Sequence, residues 1–176
     1  LEAALATYVG VKHCVALASG TEAILVALMA LGIGPGDEVI VPCFSLIVSA
    51  TAVILTGARP VLVDVDPVTW CLDPALIERK LTDRTRAIMP VHLLGLPADM
   101  DPIMDVARTR KLSVVEDSAE TMFARYKGRK VGSMGDIGCF STYVAHYIVT
   151  GVGGLATTRD PDLYIRLRSL MNHGRD

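Results

Sequence analysis

The chain has 176 residues, 51% hydrophobic and 20% charged, enough for one domain with a substantial core. Its 17 basic and 19 acidic residues leave a formal net charge of -2, which argues against a nucleic-acid binder or a polybasic membrane anchor. No cationic start with an apolar signal core opens it, and the longest apolar stretch, residues 46–55, is too short to span a bilayer.

Short apolar runs then alternate with longer helical patterns. Residues 11–18 read as a strand, Ser19-Gly20-Thr21 as a turn, and residues 22–31 as a helix ended by Gly32. Pro35-Gly36-Asp37 turns the chain into a strand over 38–41, stopped by Pro42. A buried helix is expected over 46–55 and a strand over 60–63. Asp73-Pro74 starts a helix as cap and first residue. Residues 87–89 form a strand, Asp101-Pro102 opens a helix to about Lys111, and 113–116 form another strand. After Asp117 the pattern changes. Residues 126–130 make a hairpin turn, 137–141 and 155–158 short strands, and Asp160-Pro161 caps a helix over 162–171. The alternation predicts an α/β fold, a mostly parallel sheet with helical crossovers on both faces, and one domain over residues 1–176.

The candidate chemistry collects where strands end. Ser19-Gly20-Thr21 opens a helix, and a helix start offers unpaired amides and a positive dipole end to a phosphate; the same residues also suit an ordinary N-cap. Asp117 follows an apolar strand, where α/β sheets place ligands; an acid there holds a pyridine nitrogen protonated, or merely caps a helix. Ser141 ends another strand and can face the same phosphate. His146 lies five residues on, in an apolar stretch that suits either a structural or a catalytic imidazole. His92 also follows a strand and is a candidate lining residue, whereas His13 and His173 read as surface or packing residues. Gly151-Val152-Gly153-Gly154-Leu155-Ala156 fits G-x-G-x-x-A, but it leads into a strand-like run over 155–158 rather than a helix, so it is not a dinucleotide fingerprint. Cys14, Cys43, Cys71 and Cys139 are scattered, which points to buried free thiols in a cytoplasmic protein rather than a disulfide framework or metal site.

Taken in order, several segments resemble the DegT/DnrJ/StrS family of nucleotide-sugar aminotransferases, a fold-type-I pyridoxal-phosphate group. They are Ala18-Ser19-Gly20-Thr21-Glu22-Ala23, Gly36-Asp37-Glu38-Val39-Ile40-Val41-Pro42, Pro90-Val91-His92-Leu93, Glu116-Asp117-Ser118-Ala119, and the run from Gly132 through Ser141 to His146 and Gly154. The resemblance implies a three-layer α/β/α large domain that binds pyridoxal or pyridoxamine 5'-phosphate. It further implies that the chain lacks an N-terminal segment and a C-terminal small domain, and that the complete protein is a homodimer. On the matching positions, Gly20 and Thr21 would bind the cofactor phosphate with Ser141 assisting, and Asp117 would pair with the pyridinium nitrogen. Glu120 stands where a glutamine usually meets the ring hydroxyl, Leu46 where an aromatic residue commonly stacks on the ring, and Val152 where a glutamate is common.

His146 occupies the place of the Schiff-base lysine. The same exchange marks a branch resembling sugar 3-dehydratases that use pyridoxamine phosphate, and an imidazole transfers protons without competing as an amine. The resemblance therefore implies removal of the 3-hydroxyl from a nucleotide-linked 4-keto-6-deoxy sugar, with an amino donor as further partner. The four cysteines lack the clustering of an iron–sulfur site, which favours a cluster-free version. A nucleotide-sugar aminotransferase and an inactive homologue acting as a binding subunit are the alternatives. The nearest lysines, Lys127 and Lys130, fall on the predicted hairpin.

Overall fold

A computed structural model describes residues 1–175. It opens with a helix that the sequence patterns do not predict, α1 (Glu2–Val9), closed by left-handed Gly10 (φ 86°), whose N–H returns to the Ala6 carbonyl. Next are β1 (His13–Leu17), α2 (Gly20–Ala30), β2 (Glu38–Pro42), α3 (Val48–Leu55), β3 (Arg59–Val63) and α4 (Pro74–Ile77), the last extended by a 3-10 turn (Glu78–Lys80). Then come β4 (Thr85–Ile88), α5 (Met100–Arg110), β5 (Ser113–Asp117), the hairpin strands β6 (Arg125–Tyr126) and β7 (Arg129–Lys130), β8 (Ile137–Ser141), β9 (Gly154–Thr158) and α6 (Pro161–Met171).

Seven strands form one sheet in the order β1-β9-β8-β5-β4-β2-β3. The contacts β8–β5, β5–β4, β4–β2 and β2–β3 are parallel, and β9 is antiparallel to both β1 and β8. The reversal at β9 has a local cause: no helix intervenes after β8, so the chain turns back beside the strand it has left. The sheet is thus mostly parallel, as the alternation of patterns predicts.

Two apolar cores cover its two faces. One gathers α1 and α5 with Ile40, Ile88, Val114 and Phe140; the other gathers α2, α3 and α6 with Val39, Val41, Val115 and Ile137. Neighbouring residues of β2 thus serve opposite layers, which is the period-2 alternation of a strand buried on both sides. Helix α3 is shorter and less buried than its mostly apolar sequence suggests. Only Ser49, Ala52 and Val53 are buried, at helical spacing, while Ile54 and Leu55 on the other face are exposed. All four cysteines are free; three are buried as expected, but Cys43 is exposed beyond β2, its thiol donating to Asp64 Oδ1 at 3.3 Å. No described helix is long and apolar enough to cross a membrane.

The amino ends of the central strands are fastened by Glu38, whose side chain is 1% exposed. Its Oε1 accepts from Arg59 Nη2 at 2.6 Å and from Arg84 Nη2 at 2.7 Å, and its Oε2 from Thr82 Oγ1 at 2.7 Å. The Arg59 hydrogen bond first, then that of Thr82, holds the carboxyl down at about 2, against an ordinary value of 4.5. With the folded value below the unfolded one, the ionised carboxylate stabilises the fold in full above about pH 4.5, and that contribution is lost as pH falls towards 2. Glu38→Gln is expected to flatten this part of the acid profile and to lower neutral-pH stability by about 2 kcal/mol, read from urea midpoints across pH.

Candidate active site

The carboxyl ends of β1, β2, β5 and β8 lie at one edge of the sheet, and the residues that follow or close those strands meet there. After β1, Ser19 is extended (φ −159°, ψ 165°) and its Oγ accepts from Glu22 N at 3.1 Å, while Glu22 Oε2 reaches back to Ala18 N at 2.6 Å. This is close to a capping box. It satisfies the amides of Ala18 and Glu22 and leaves those of Gly20 and Thr21 as the unpaired donors at the start of α2. Gly20 is required by packing: a Cβ there would lie 2.6 Å from Ser141 Cβ at the end of β8. The glycine-rich turn before β9 obeys a similar constraint. A Cβ on Gly154 would stand 2.0 Å from the Ser19 carbonyl oxygen, and one on Gly153 would stand 2.4 Å from Thr142 Oγ1.

Asp117 closes β5 and is 4% exposed. Its Oδ1 accepts from Ala119 N at 3.2 Å and its Oδ2 from Ser49 Oγ at 3.2 Å; Ser49 in turn shares a 2.9 Å hydrogen bond with Ser45. Burial, the largest influence, raises the Asp117 pKa above its ordinary 3.8 despite these bonds. Sequence reasoning passed over Ser49. Its signal was a hydroxyl four residues after Ser45 in an otherwise apolar helix.

Glu116 adjoins Asp117 in sequence but serves a different purpose. It is fully buried and accepts from Gly132 N at 2.8 Å, Met134 N at 2.6 Å, Gly135 N at 2.6 Å and the His92 imidazole at 3.0 Å. Ala98 N donates to His92 Nδ1 at 3.0 Å, so the proton sits on Nε2 and points at Glu116. Burial acts to raise the Glu116 pKa, but the His92 hydrogen bond and the backbone amides prevail and bring it below the ordinary range. The expectation that His92 lines the site is therefore corrected: this imidazole is wholly buried and committed to Glu116 and Ala98.

Beyond β8 the chain leaves the sheet as a loop over residues 143–149. Its base is pinned by Thr142 Oγ1 to Thr150 Oγ1 at 2.7 Å, Thr150 N to Thr142 O at 3.1 Å and Thr142 N to Gly153 O at 2.9 Å. His146 sits in this loop with its amide on Tyr143 O at 2.9 Å. Its Nδ1 is shielded from solvent and has no hydrogen-bond partner among the described residues.

These elements enclose a cavity of about 260 Å³. Gly20, Thr21, Leu46, Asp117, Glu120, Ser141 and His146 all line it, with Ser19, Ser45, Tyr143 and Val152. The structure thus brings together every residue that the sequence nominated for catalysis or cofactor contact. None of the chain's five lysines lines the cavity. Lys127 pairs with Asp101 at 2.7 Å and Lys130 donates to the Tyr8 carbonyl, so both are engaged on or beside the hairpin. The G-x-G-x-x-A stretch runs into β9, in keeping with its rejection as a dinucleotide fingerprint.

This sheet order is an α/β architecture with its cavity at the carboxyl edge, where such sheets place ligands, and comparison with known proteins gives the family. The chain belongs to the DegT/DnrJ/EryC1/StrS aminotransferase family, whose model matches residues 1–176. It is 53% identical over 175 residues to GDP-perosamine synthase of Caulobacter vibrioides, an alignment covering 99% of this chain and 47% of the relative. It is 51% identical, with the same two coverages, to a UDP-N-acetyl-3-dehydro-alpha-D-glucosamine 3-aminotransferase of Acidithiobacillus ferrooxidans. Among solved structures, NtdA of Bacillus subtilis with bound cofactor PMP superposes with a TM-score of 0.90 at 36% identity, covering 96% of this chain and 38% of that one. The chain spans about half the length of the curated relatives it matches.

Removing the Glu116 carboxylate would leave three buried amides and the His92 N–H without an acceptor. Glu116→Ala is expected to destabilise the fold by about 3 kcal/mol or more, measured as a lower urea midpoint at unchanged slope.

Proposed function

We propose that the chain is the coenzyme-binding portion of a vitamin-B6-dependent enzyme acting on the keto group of a nucleotide-linked sugar. The observation that carries this reading is the convergence, in one cavity, of a bare helix start, a buried carboxyl and a histidine with a solvent-shielded, unpartnered nitrogen. The donor set fits pyridoxal or pyridoxamine 5'-phosphate. Absence of a Cβ at Gly20 keeps the helix start against Ser141, so the free amides of Gly20 and Thr21 and the hydroxyls of Thr21 and Ser141 surround a place suited to a phosphate. Asp117, whose burial disfavours its charge, would hold the coenzyme by pairing with a protonated pyridine nitrogen. Ser49 donates to that carboxylate, and Leu46 and Glu120 line the same cavity, where they would hold the coenzyme's ring, Leu46 without an aromatic contact.

When bound, the coenzyme supplies an electron sink and an amine. His146 lines the cavity with an unpartnered Nδ1 and would move the proton that amine chemistry requires. Two outcomes are compatible with that proton shuttle. Amine transfer to the sugar is the first reading, supported by the names of the curated relatives. Loss of the 3-hydroxyl is the second, supported by His146 and by the lack of a lysine lining the cavity. The same proposal includes a second copy of the chain over the exposed apolar rim at Leu46, Ile47, Val144 and Tyr147, and the large-domain portion of a longer polypeptide.

The test supplies the purified chain with pyridoxamine phosphate, a nucleotide-linked 4-keto sugar and an amino donor, and identifies the product by mass spectrometry. An aminated sugar supports the first reading and a dehydrated one the second. Absence of coenzyme uptake would overturn both and leave a binding homologue.

Uptake itself is expected to depend on pH. Because the Asp117 pKa is raised above 3.8, uptake should decline on acidification at a pH above that value, and Asp117→Asn should weaken it about tenfold or more; absorbance titration reads both. His146→Lys is expected to slow loss of the 3-hydroxyl by roughly two to four orders of magnitude and to let borohydride trap the pyridoxal form of the coenzyme on the chain.

A further inference from the structure

The hydroxyl residues of α3 and its end are not all used alike. Thr51 and Thr56 bond back to carbonyls of their own helix, Val48 O at 3.4 Å and Val53 O at 2.7 Å, as hydroxyls on helices commonly do. Ser49, 2% exposed, instead turns its hydroxyl out of the helix, to Asp117 Oδ2 at 3.2 Å and Ser45 Oγ at 2.9 Å. Ser45 stands one turn earlier and lines the cavity beside Asp117.

Counting protons fixes the direction of both bonds. An ionised carboxylate only accepts, so Ser49 donates its single proton to Asp117 and must accept from Ser45. Ser45 then turns only lone pairs towards the cavity. When Asp117 takes up a proton, that proton belongs on Oδ2, because Oδ1 already faces the Ala119 N–H. Oδ2 then donates to Ser49, Ser49 donates to Ser45, and Ser45 offers its O–H to the cavity. Among the described residues Ser49 is the only side chain hydrogen-bonded to Asp117. The other groups that act on this carboxyl are committed elsewhere or oppose its charge. His92, after β4, and Glu116, on β5, are bonded to each other. Burial keeps the Cys139 thiol of β8 protonated, Glu120 in the loop after β5 opposes a charge on Asp117, and His146 lines the same cavity without a bond to it.

We propose that Ser45 and Ser49 are positioning residues, a two-hydroxyl relay that holds the buried Asp117 in its charged form and connects its proton to the cavity. The use of that charge, pairing with a protonated pyridine nitrogen, rests on the coenzyme reading above. The relay itself is open to test in the chain without coenzyme.

Aspartate labelled at its carboxyl carbon lets NMR follow Asp117 as pH is varied, in the unsubstituted chain, Ser49→Ala and Ser45→Ala, with Asp117→Asn to assign the signal. Loss of a hydroxyl that favours the charged form is expected to raise the Asp117 midpoint by about one pH unit in Ser49→Ala and by about half a unit in Ser45→Ala. Absorbance titrations with pyridoxamine phosphate are expected to show the acid limit of uptake rising in the same order. An unmoved or lowered Asp117 midpoint in Ser45→Ala overturns the relay, whether or not Ser49→Ala folds, because Ser45 is bonded to Asp117 only through Ser49. Failure of the unsubstituted chain to take up pyridoxamine phosphate overturns the coenzyme reading instead, and the NMR midpoints still decide the relay.

Discussion

The Glu116 carboxylate accepts four hydrogen bonds in a fully buried setting, three from the turn ahead of β8 and one from His92. A charge in such a place is tolerable only when its lone pairs are filled, and here they are. The consequence is mechanical. His92 follows β4, Glu116 belongs to β5, and Gly132, Met134 and Gly135 lead into β8, so one side chain locks three neighbouring parts of the sheet. The adjacent backbone is fixed from both sides as well, since His92 N donates to Asp117 O at 2.9 Å and Asp117 N to Pro90 O at 3.0 Å on one side, and Ser118 N to Cys139 O at 2.8 Å on the other. Asp117 therefore faces the cavity from a rigid base, and its neighbour in sequence provides the rigidity.

The opposite wall depends on close contact rather than on charge. Ser19, Gly20, Ser141 and Gly154 come together where β1, β9 and β8 lie side by side, closer than any Cβ on either glycine would permit. Those two glycines are selected by close contact, Gly20 with the Ser141 side chain and Gly154 with the Ser19 backbone, not by positive φ. The antiparallel return of β9 is what brings the glycine-rich turn to the same edge as the helix start.

Much of this was legible in the chain. The alternation of runs gave the strands of the parallel core with small errors at their ends, because β2, β5 and β8 are buried on both faces and each has proline or aspartate at or beside an end. Gly20, Thr21, Asp117 and Ser141 were legible as a helix start and strand ends, whereas Leu46 and Glu120 were named only through the family resemblance. Helix α1 escaped because its apolar residues make no clear stripe and its stop is a single glycine. Ser49 escaped because a serine in an apolar helix has no motif of its own, and its role exists only through a residue 68 positions away. His92 was misplaced for the converse reason: it follows a strand towards the site, but a long-range carboxylate turns its ring into the core.

The loop that carries His146 is cinched at its neck by Thr142, Thr150 and Gly153, outside the strands it connects. Such a neck makes the intervening seven residues a replaceable insert. A substitution at its tip leaves the hydrogen bonds of the neck untouched, so the side chain offered to the cavity can change while the frame below stays as it is.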